Sequence, residues 1–143
     1  MSVTGLVVLL AVLVVASVVG LVLRARSGRV RTTTGRVAPG WDLAEVTPGP
    51  DDRVLLLQLS SPICTPCRQT ALALTALSDD HAGLRHVEVD IAERPDVART
   101  LDVMRTPTTV AFARDGRELL RVSGVPRRQE LVAALDSELT GAR

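Results

Sequence analysis

The chain has 143 residues, enough for one domain of ordinary size and an added segment. Residues 1–36 contain five arginines and no acidic residue, whereas residues 37–143 contain 12 arginines and 16 acidic residues. The larger part is therefore slightly acidic, which excludes an electrostatic affinity for nucleic acid and predicts no nucleic-acid partner.

The segment from Val3 to Leu23 has no charged residue and is dominated by valine and leucine. A helix of these 21 residues would be about 31 Å long, which matches the roughly 30 Å hydrocarbon core of a bilayer. A cleaved signal peptide is the competing interpretation, but it would have a basic start, a shorter apolar core and a small-residue cleavage site. The start MSVT has no basic side chain, so residues 1–23 are predicted to be an uncleaved transmembrane anchor.

Residues 24–40 are rich in arginine, threonine and glycine and are interpreted as a basic juxtamembrane linker. One short extended piece is expected within it, around Val30 to Val37. Four arginines follow the apolar segment within eight residues, and none precedes it. Because basic residues are retained on the cytoplasmic side of a membrane, this bias predicts that the following domain faces the cytoplasm.

Residues 41–143 are predicted to form one domain in which strands and helices alternate. A helical turn is expected after Trp41, and Arg53–Leu59 is a short apolar run typical of a strand buried on both faces. Strand–helix–strand order implies parallel pairs, and Asp115-Gly116 between two apolar runs indicates an antiparallel hairpin. The fold class is therefore α/β, a mixed sheet with helices on both faces. The expected strands are 53–59, 85–90, 108–114 and 117–122, and the expected helices are 64–78, 95–103 and 126–139.

Apolar faces are expected on the first and last of these helices. The residues assigned to them are Leu72, Leu74 and Leu77 in the first, and Leu131, Val132, Leu135 and Leu139 in the last.

Both cysteines lie in the stretch SPICTPC, as Cys64 and Cys67. A structural zinc site needs four ligands, and the only histidines, His81 and His86, lack the spacing of a zinc module. Haem attachment would need histidine directly after the second cysteine, where Arg68 stands. A structural disulfide across so short a loop would remove little chain entropy. The sequence therefore predicts no metal site and favours thiol–disulfide exchange.

The expected position of this motif, where a strand ends and a helix begins, suits redox chemistry. The unpaired N–H groups and the macrodipole of a helix N-terminus stabilise a thiolate. Cys64 lies nearest those groups, whereas Cys67 is one turn deeper and shielded. Cys64 is therefore predicted to attack a substrate disulfide, and Cys67 to resolve the mixed disulfide. Because the cysteine pair carries the electrons, no small-molecule cofactor is implied.

At this point the sequence resembles the thioredoxin family, over roughly residues 53–139. That family has this element order, C-x-x-C at the strand-to-helix junction and a proline opposite it at the start of a later strand. Here the proline is Pro107 in RTPTTV, about 40 residues after Cys67. The resemblance implies a cis Thr106–Pro107 bond, substrate contacts from Thr106, Pro107, Thr65 and Pro66, and protein dithiols or disulfides as partners.

Three positions depart from the family pattern. Gln58 stands where the family carries a buried aspartate that accepts the proton of the resolving thiol. Ile63 replaces the usual tryptophan before the first cysteine, and His86 is taken to replace a lysine on the next strand. Since histidine has a reference pKa near 6.5, His86 is a candidate proton relay with Gln58, the alternative being a strand residue without a catalytic task.

The predicted function is a membrane-anchored thiol–disulfide oxidoreductase with a Cys-Thr-Pro-Cys redox pair. Two alternatives remain open at this stage. The domain could face outward and serve extracytoplasmic thiol or cytochrome maturation, as many anchored relatives of this family do. It could also be a non-catalytic tethered module that binds a partner in the groove beside Pro107.

Overall fold

The computed structural model describes residues 3–33 and 37–141 of the chain. Within these residues it contains five helices and five strands. In chain order they are α1 (Val3–Arg26), β1 (Val30–Thr32), α2 (Gly40–Leu43), β2 (Val54–Ser60), α3 (Thr65–Asp80), β3 (Leu84–Asp90), α4 (Pro95–Thr100), β4 (Thr108–Ala113), β5 (Glu118–Ser123) and α5 (Arg128–Thr140).

The strands form one mixed sheet in the order β1-β5-β4-β2-β3. β2 is parallel to β3 and antiparallel to β4, and β4 is antiparallel to β5. The unit β2–α3–β3 is the parallel pair that the alternation of elements predicts. The hairpin β4–β5 turns at Asp115-Gly116, where Gly116 has a φ of 85°. The predicted α/β class is confirmed.

β2 is buried along its whole length because helices cover both faces of the sheet. Its odd-numbered leucines pack with residues of α2 and α4. Its even-numbered Val54 and Leu56 pack with residues of α3 and α5. A strand in this position needs an apolar run without alternation, which is the pattern that the sequence shows.

Two local expectations are wrong. Leu72 is 75% exposed, because the buried face of α3 is formed by residues three and four apart that lie opposite it, namely Cys67, Thr70, Leu74 and Leu77. The fourth helix, α4, ends at Thr100 rather than near Val103, because Asp102 has a φ of 54° and cannot continue a right-handed helix.

The sheet begins inside the stretch interpreted as a linker. β1 pairs antiparallel with β5 at the edge of the sheet, and Val37 forms an isolated bridge to Arg117. The extended piece expected around Val30 to Val37 is therefore present at both of its ends, while residues 34–36 lie outside the described residues. Part of the basic stretch is thus a strand of the domain's own sheet.

α1 is a helix of 24 residues with a mean hydropathy of 3.3 in its most apolar window. None of its residues is buried against the rest of the chain. By length and composition it can cross a membrane, a criterion that an N-terminal signal sequence also meets.

The buried carboxylate of Glu118 on β5 depends on one arginine partner. Arg121 Nε donates to Glu118 Oε1 at 3.0 Å, and the Glu118 side chain is only 1% exposed. Replacing Arg121 with methionine leaves that carboxylate buried without its partner, so we expect a loss of about 3–5 kcal/mol in the free energy of unfolding. Denaturant titration of the solubilised chain, followed by the fluorescence of its single, buried tryptophan, Trp41, measures this loss.

Arg117→Met is the matched control, because the ion pair of Arg117 with Asp115 is exposed on the hairpin. It should move the denaturation midpoint far less. Equal shifts for the two variants would contradict the importance of the buried pair.

Candidate active site

The two cysteines lie where β2 ends and α3 begins, as the sequence predicts. Cys64 caps the N-terminus of α3, and its partly exposed side chain is bonded to Cys67 in a disulfide. Cys67 is only 2% exposed because it lies on the buried face of α3. The two sulfurs therefore differ in access, and Cys64 is the one that another molecule can reach.

The backbone of α3 points a hydrogen-bond donor at the sulfur of Cys64. The N–H of Cys67 donates to Cys64 Sγ at 3.1 Å. This group is one of the N–H groups that have no partner within the helix, and the helix macrodipole adds positive potential at the same place. The arrangement stabilises negative charge on Cys64 when the disulfide is opened.

The loop before β4 lies beside the cysteine loop. The Thr106–Pro107 bond is cis, as the family resemblance implies. The hydroxyls of Ser61 and Thr106 are 3.1 Å apart, so a hydrogen bond joins the segment before Cys64 to the segment before Pro107. Thr65 and Pro66, the residues between the cysteines, are exposed at the start of α3.

Gln58 is fully buried beneath the active site. Its Nε2 donates to the carbonyl oxygen of Cys67 at 2.9 Å and approaches Glu88 Oε1 at 3.3 Å. Because both partners only accept hydrogen bonds, the orientation of this amide is determined, and its Oε1 must face the other way. The side-chain oxygen lies 3.1 Å from His86 Nε2.

This amide orientation also determines the tautomer of His86. Since Gln58 Oε1 can only accept, His86 Nε2 carries the proton, and the basic Nδ1 faces the Thr75 hydroxyl at 3.2 Å. The pKa of His86 is lowered mainly because the ring is partly buried, and the charge of Glu88 opposes part of this effect. His86 is therefore a neutral donor that holds Gln58, and its lone pair points towards Thr75.

Sequence reasoning missed Glu88. In the register of β2 and β3, Glu88 is the direct partner of Gln58, whereas His86 is the partner of Leu56. Glu88 also lines a cleft of about 380 Å³ beside the disulfide, together with Cys64, Cys67, Arg68, Asp90 and Glu93. The alternation of RHVEVD places Glu88 on the same face as His86, and only the parallel register, which the local pattern does not contain, brings it opposite Gln58.

Ile63 is 99% exposed beside Cys64, at the position where the family carries tryptophan. An apolar side chain so fully exposed next to a reactive sulfur is available to contact another molecule. Within residues 3–33 and 37–141, no group of three or more histidine, cysteine, aspartate or glutamate side chains is placed to hold a metal ion.

Known proteins resemble the chain in both sequence and fold. Thioredoxin H2 from Arabidopsis thaliana is 33% identical over 76 residues, which cover 53% of this chain and 56% of that protein. A thioredoxin H-type protein from Populus jackii is 28% identical over 100 residues, which cover 68% of this chain and 71% of that protein. This chain thus spans little more than half the length of the first relative.

The structure of Fasciola hepatica thioredoxin superimposes with a TM-score of 0.54 at 25% identity, over 62% of this chain and 83% of that chain. The family model described as Thioredoxin matches residues 44–137, more than half of the chain and the part that holds the disulfide and the cis-proline. The chain belongs to the thioredoxin family.

Proposed function

We propose that the chain is a membrane-anchored thiol–disulfide oxidoreductase in which Cys64 is the nucleophile and Cys67 the resolving thiol. The hydrogen bond from the Cys67 N–H to Cys64 Sγ, together with the burial of Cys67, is the observation that carries this assignment. The family match supports the same chemistry.

The reaction exchanges two electrons between two pairs of sulfur atoms. In the reducing direction, the thiolate of Cys64 attacks one sulfur of a substrate disulfide, which releases the other sulfur as a thiolate. Cys67 then loses its proton and attacks Cys64 Sγ, which releases the second substrate thiolate and forms the Cys64–Cys67 disulfide. Both released thiolates take up protons from water, and the reverse sequence oxidises a substrate dithiol.

The substrate backbone is proposed to lie along the segment before Pro107. Thr65 and Pro66 are exposed beside Cys64, and the hydrogen bond between Ser61 and Thr106 holds the loop before Pro107 next to the cysteine loop. An extended segment that pairs with the backbone of Thr106 would present its disulfide to Cys64.

Glu88 is proposed to accept the proton of Cys67, in place of the buried carboxylate that Gln58 has replaced. Glu88 lines the same cleft as both cysteines and hydrogen-bonds to the amide that also contacts Cys67. A water molecule in this cleft can carry the proton between them. The sequence suggested His86 and Gln58 as a proton relay. In this proposal they are positioning residues instead, because the lone pair of His86 faces Thr75 and not the cysteines.

The anchor is proposed to be α1, with the domain on the cytoplasmic side. Arg24 and Arg26 lie in the last turn of α1, and Arg29 and Arg31 follow within five residues. This one-sided charge supports the cytoplasmic orientation. In the opposite orientation the same chemistry would serve extracytoplasmic thiol or cytochrome maturation.

The roles of the two cysteines can be tested by trapping. In Cys67→Ser the mixed disulfide formed by Cys64 has no resolving thiol. It should accumulate with insulin, whose disulfides serve as the model substrate. Non-reducing electrophoresis with mass spectrometry measures it, and Cys64→Ser is the matched control that should trap little. Equal trapping by both variants would refute the assignment. Absence of trapping, with a wild-type chain inactive on insulin, would favour a non-catalytic tethered module.

The role of Glu88 can be tested by separating the two chemical steps. An aromatic disulfide such as dithiobis-nitrobenzoate releases one coloured thiolate when Cys64 attacks and a second when Cys67 resolves. Glu88→Gln should slow the second release about 10²-fold and leave the first nearly unchanged, because general-base assistance is worth 10²–10⁴-fold. Glu93→Gln, which alters another carboxylate of the same cleft, is the control and should leave both steps nearly unchanged.

An NMR titration of His86 shows whether Glu88→Gln keeps the site intact. The pKa of His86 should lie below 6.5 in the wild type and fall further in Glu88→Gln, because the negative charge that raises it is gone. Since the folded-state pKa is depressed, the contribution of His86 to stability is complete above pH 6.5 and is lost as the pH falls below that value. A second release as fast in Glu88→Gln as in the wild type would exclude Glu88 as the acceptor.

The orientation can be tested with fusions after the last residue. A reporter that is active only in the cytoplasm should function there, whereas alkaline phosphatase, which needs an outward location, should not. Changing Arg24, Arg26, Arg29 and Arg31 together to asparagine should weaken this preference. An active phosphatase fusion on the unchanged chain would reverse the proposed topology.

A further inference from the structure

The segment that follows α1 enters the domain at the same end of the sheet as the disulfide. β1 begins opposite the end of β5, with Val30 paired to Val122. β5 ends opposite the start of β4, where Ser123 is paired to Thr108. β4 in turn begins opposite the end of β2, with Thr108 paired to Leu59. The start of β1 and the end of β2 therefore lie at the same end of the sheet. Cys64 follows the end of β2 by four residues.

The connection from α1 to this end is short and held in place. Only Ser27, Gly28 and Arg29 separate α1 from β1. The N–H of Gly28 donates to the carbonyl of Ser123 at 2.7 Å, and the N–H of Gly124 donates to the carbonyl of Pro107 at 2.8 Å. The segment after α1 is thus hydrogen-bonded to the end of β5. The next residue, Gly124, is hydrogen-bonded to the cis-proline.

Two glycines make this close approach possible. Gly28 has a φ of 79°, and a Cβ at this position would lie 2.3 Å from the carbonyl oxygen of Val125. Gly124 has a φ of 90°, and its Cβ would lie 2.8 Å from Ser27 Oγ. A side chain at either position would separate the segment after α1 from the active-site end, so the sequence at both sites fits this contact.

Strand and chain geometry limit how far the active-site end of the domain lies from the end of α1. Three residues span at most about 11 Å, and the three strand spacings between β1 and β2 add about 14 Å. The end of β2 therefore lies within roughly 25 Å of the end of α1, and Cys64 follows it by four residues. The opposite end of the sheet, which carries the α3–β3 loop, is about 20 Å farther along the strands.

The active-site end also exposes large apolar side chains. Ile63, beside Cys64, is 99% exposed, and Met104, in the loop before Pro107, is 92% exposed. The hydrogen bond between Ser61 and Thr106 joins the two loops that carry them. Exposed apolar side chains on both loops at this end of the domain are available for contact with a partner.

We infer that the redox face of the domain is turned toward the bilayer and that its partner is an integral membrane protein. The partner's cysteine pair lies at or just above the lipid headgroups, on the same side of the membrane as the domain. The Cys64–Cys67 dithiol reduces that pair to two thiols and becomes a disulfide, or the disulfide oxidises it in the reverse reaction. This inference rests on the proposed anchoring and redox function, and it names the class of substrate.

Confinement to the membrane makes such a partner favourable. Two membrane proteins whose reactive groups lie at the same height above the bilayer meet at a high effective concentration. A dissolved protein must instead approach an edge that the membrane partly covers. The short connection therefore selects a membrane-bound substrate.

The orientation can be measured with spin labels on the full chain in vesicles of phosphatidylcholine and phosphatidylglycerol that contain a nickel-chelating lipid. One label is placed on Cys64 in Cys67→Ser. The other is placed on Ala82→Cys in the Cys64→Ser, Cys67→Ser background; Ala82 is a small exposed residue at the opposite end. Nickel at the headgroups should enhance the relaxation of the Cys64 label several-fold more than that of the Ala82 label.

The outcomes separate this inference from the function on which it rests. If carbonate washing removes the chain from the vesicles, the anchoring is refuted and the inference with it. If the chain stays in the membrane and the Ala82 label is relaxed as much as the Cys64 label or more, only the inference is refuted. A chain that inserts and orients as expected but fails to reduce insulin refutes the redox function instead.

A spacer tests the consequence for the substrate. Twenty glycine and serine residues inserted between Arg26 and Ser27 span about 25 Å on average and let the active-site end turn away from the bilayer. In Cys67→Ser this insertion should reduce mixed disulfides with integral membrane proteins at least five-fold, whereas the same spacer after Arg143 should not. With both cysteines present, the spacer after Arg26 should not slow the reduction of dissolved insulin, and the spacer after Arg143 should leave it unchanged. Unchanged trapping, or trapping mainly of soluble proteins, would contradict the inference.

Discussion

The position of the site depends on the burial of β2 between two cores. This strand is covered on both faces and pairs with β3 and β4 along both edges, so its last residue can lie at only one place. The cysteine loop continues from that end, and the loop with Pro107 enters the neighbouring strand there. Gln58, which is part of β2, is held under Cys67 by the same packing. The most buried strand, β2, therefore sets the positions of the cysteine loop and of the loop with Pro107.

Features with a local pattern could be predicted from the sequence. The apolar run of β2, the helix that starts at the cysteine motif and the hairpin at Asp115-Gly116 each follow from the neighbouring residues. The cis bond before Pro107 came from family resemblance rather than from any local rule. The register that places Glu88 opposite Gln58 and the pairing of β1 with β5 could not be predicted, because both depend on contacts between distant parts of the chain. Leu72 was misplaced because the leucine-rich stretch of α3 shows more than one candidate face.

The exchange of a buried carboxylate for Gln58 has a clear energetic consequence. A charge enclosed beneath Cys67 would be costly to desolvate, whereas an amide with four hydrogen-bonding sites is satisfied there by Cys67, Glu88 and His86. The carboxylate of this network lies instead on the exposed Glu88, at the rim of the cleft. Its charge stays hydrated, so the site has a carboxylate near Cys67, as the proposed proton transfer requires, without the cost of burying a charge.

The edge strand β1 connects this chemistry to the proposed location. β1 is antiparallel to β5, so its first residue lies nearest the active-site end, and the strand runs away from that end. Had the same three residues paired in parallel, the segment after α1 would approach from the other direction, and its junction with β1 would lie about 7 Å farther from the active-site end. The direction of this one short strand, together with the close approach that Gly28 and Gly124 permit, therefore brings α1 to the active-site end of the domain. In the proposed arrangement the position of the anchor acts on substrate choice, while the cysteine loop determines the reaction.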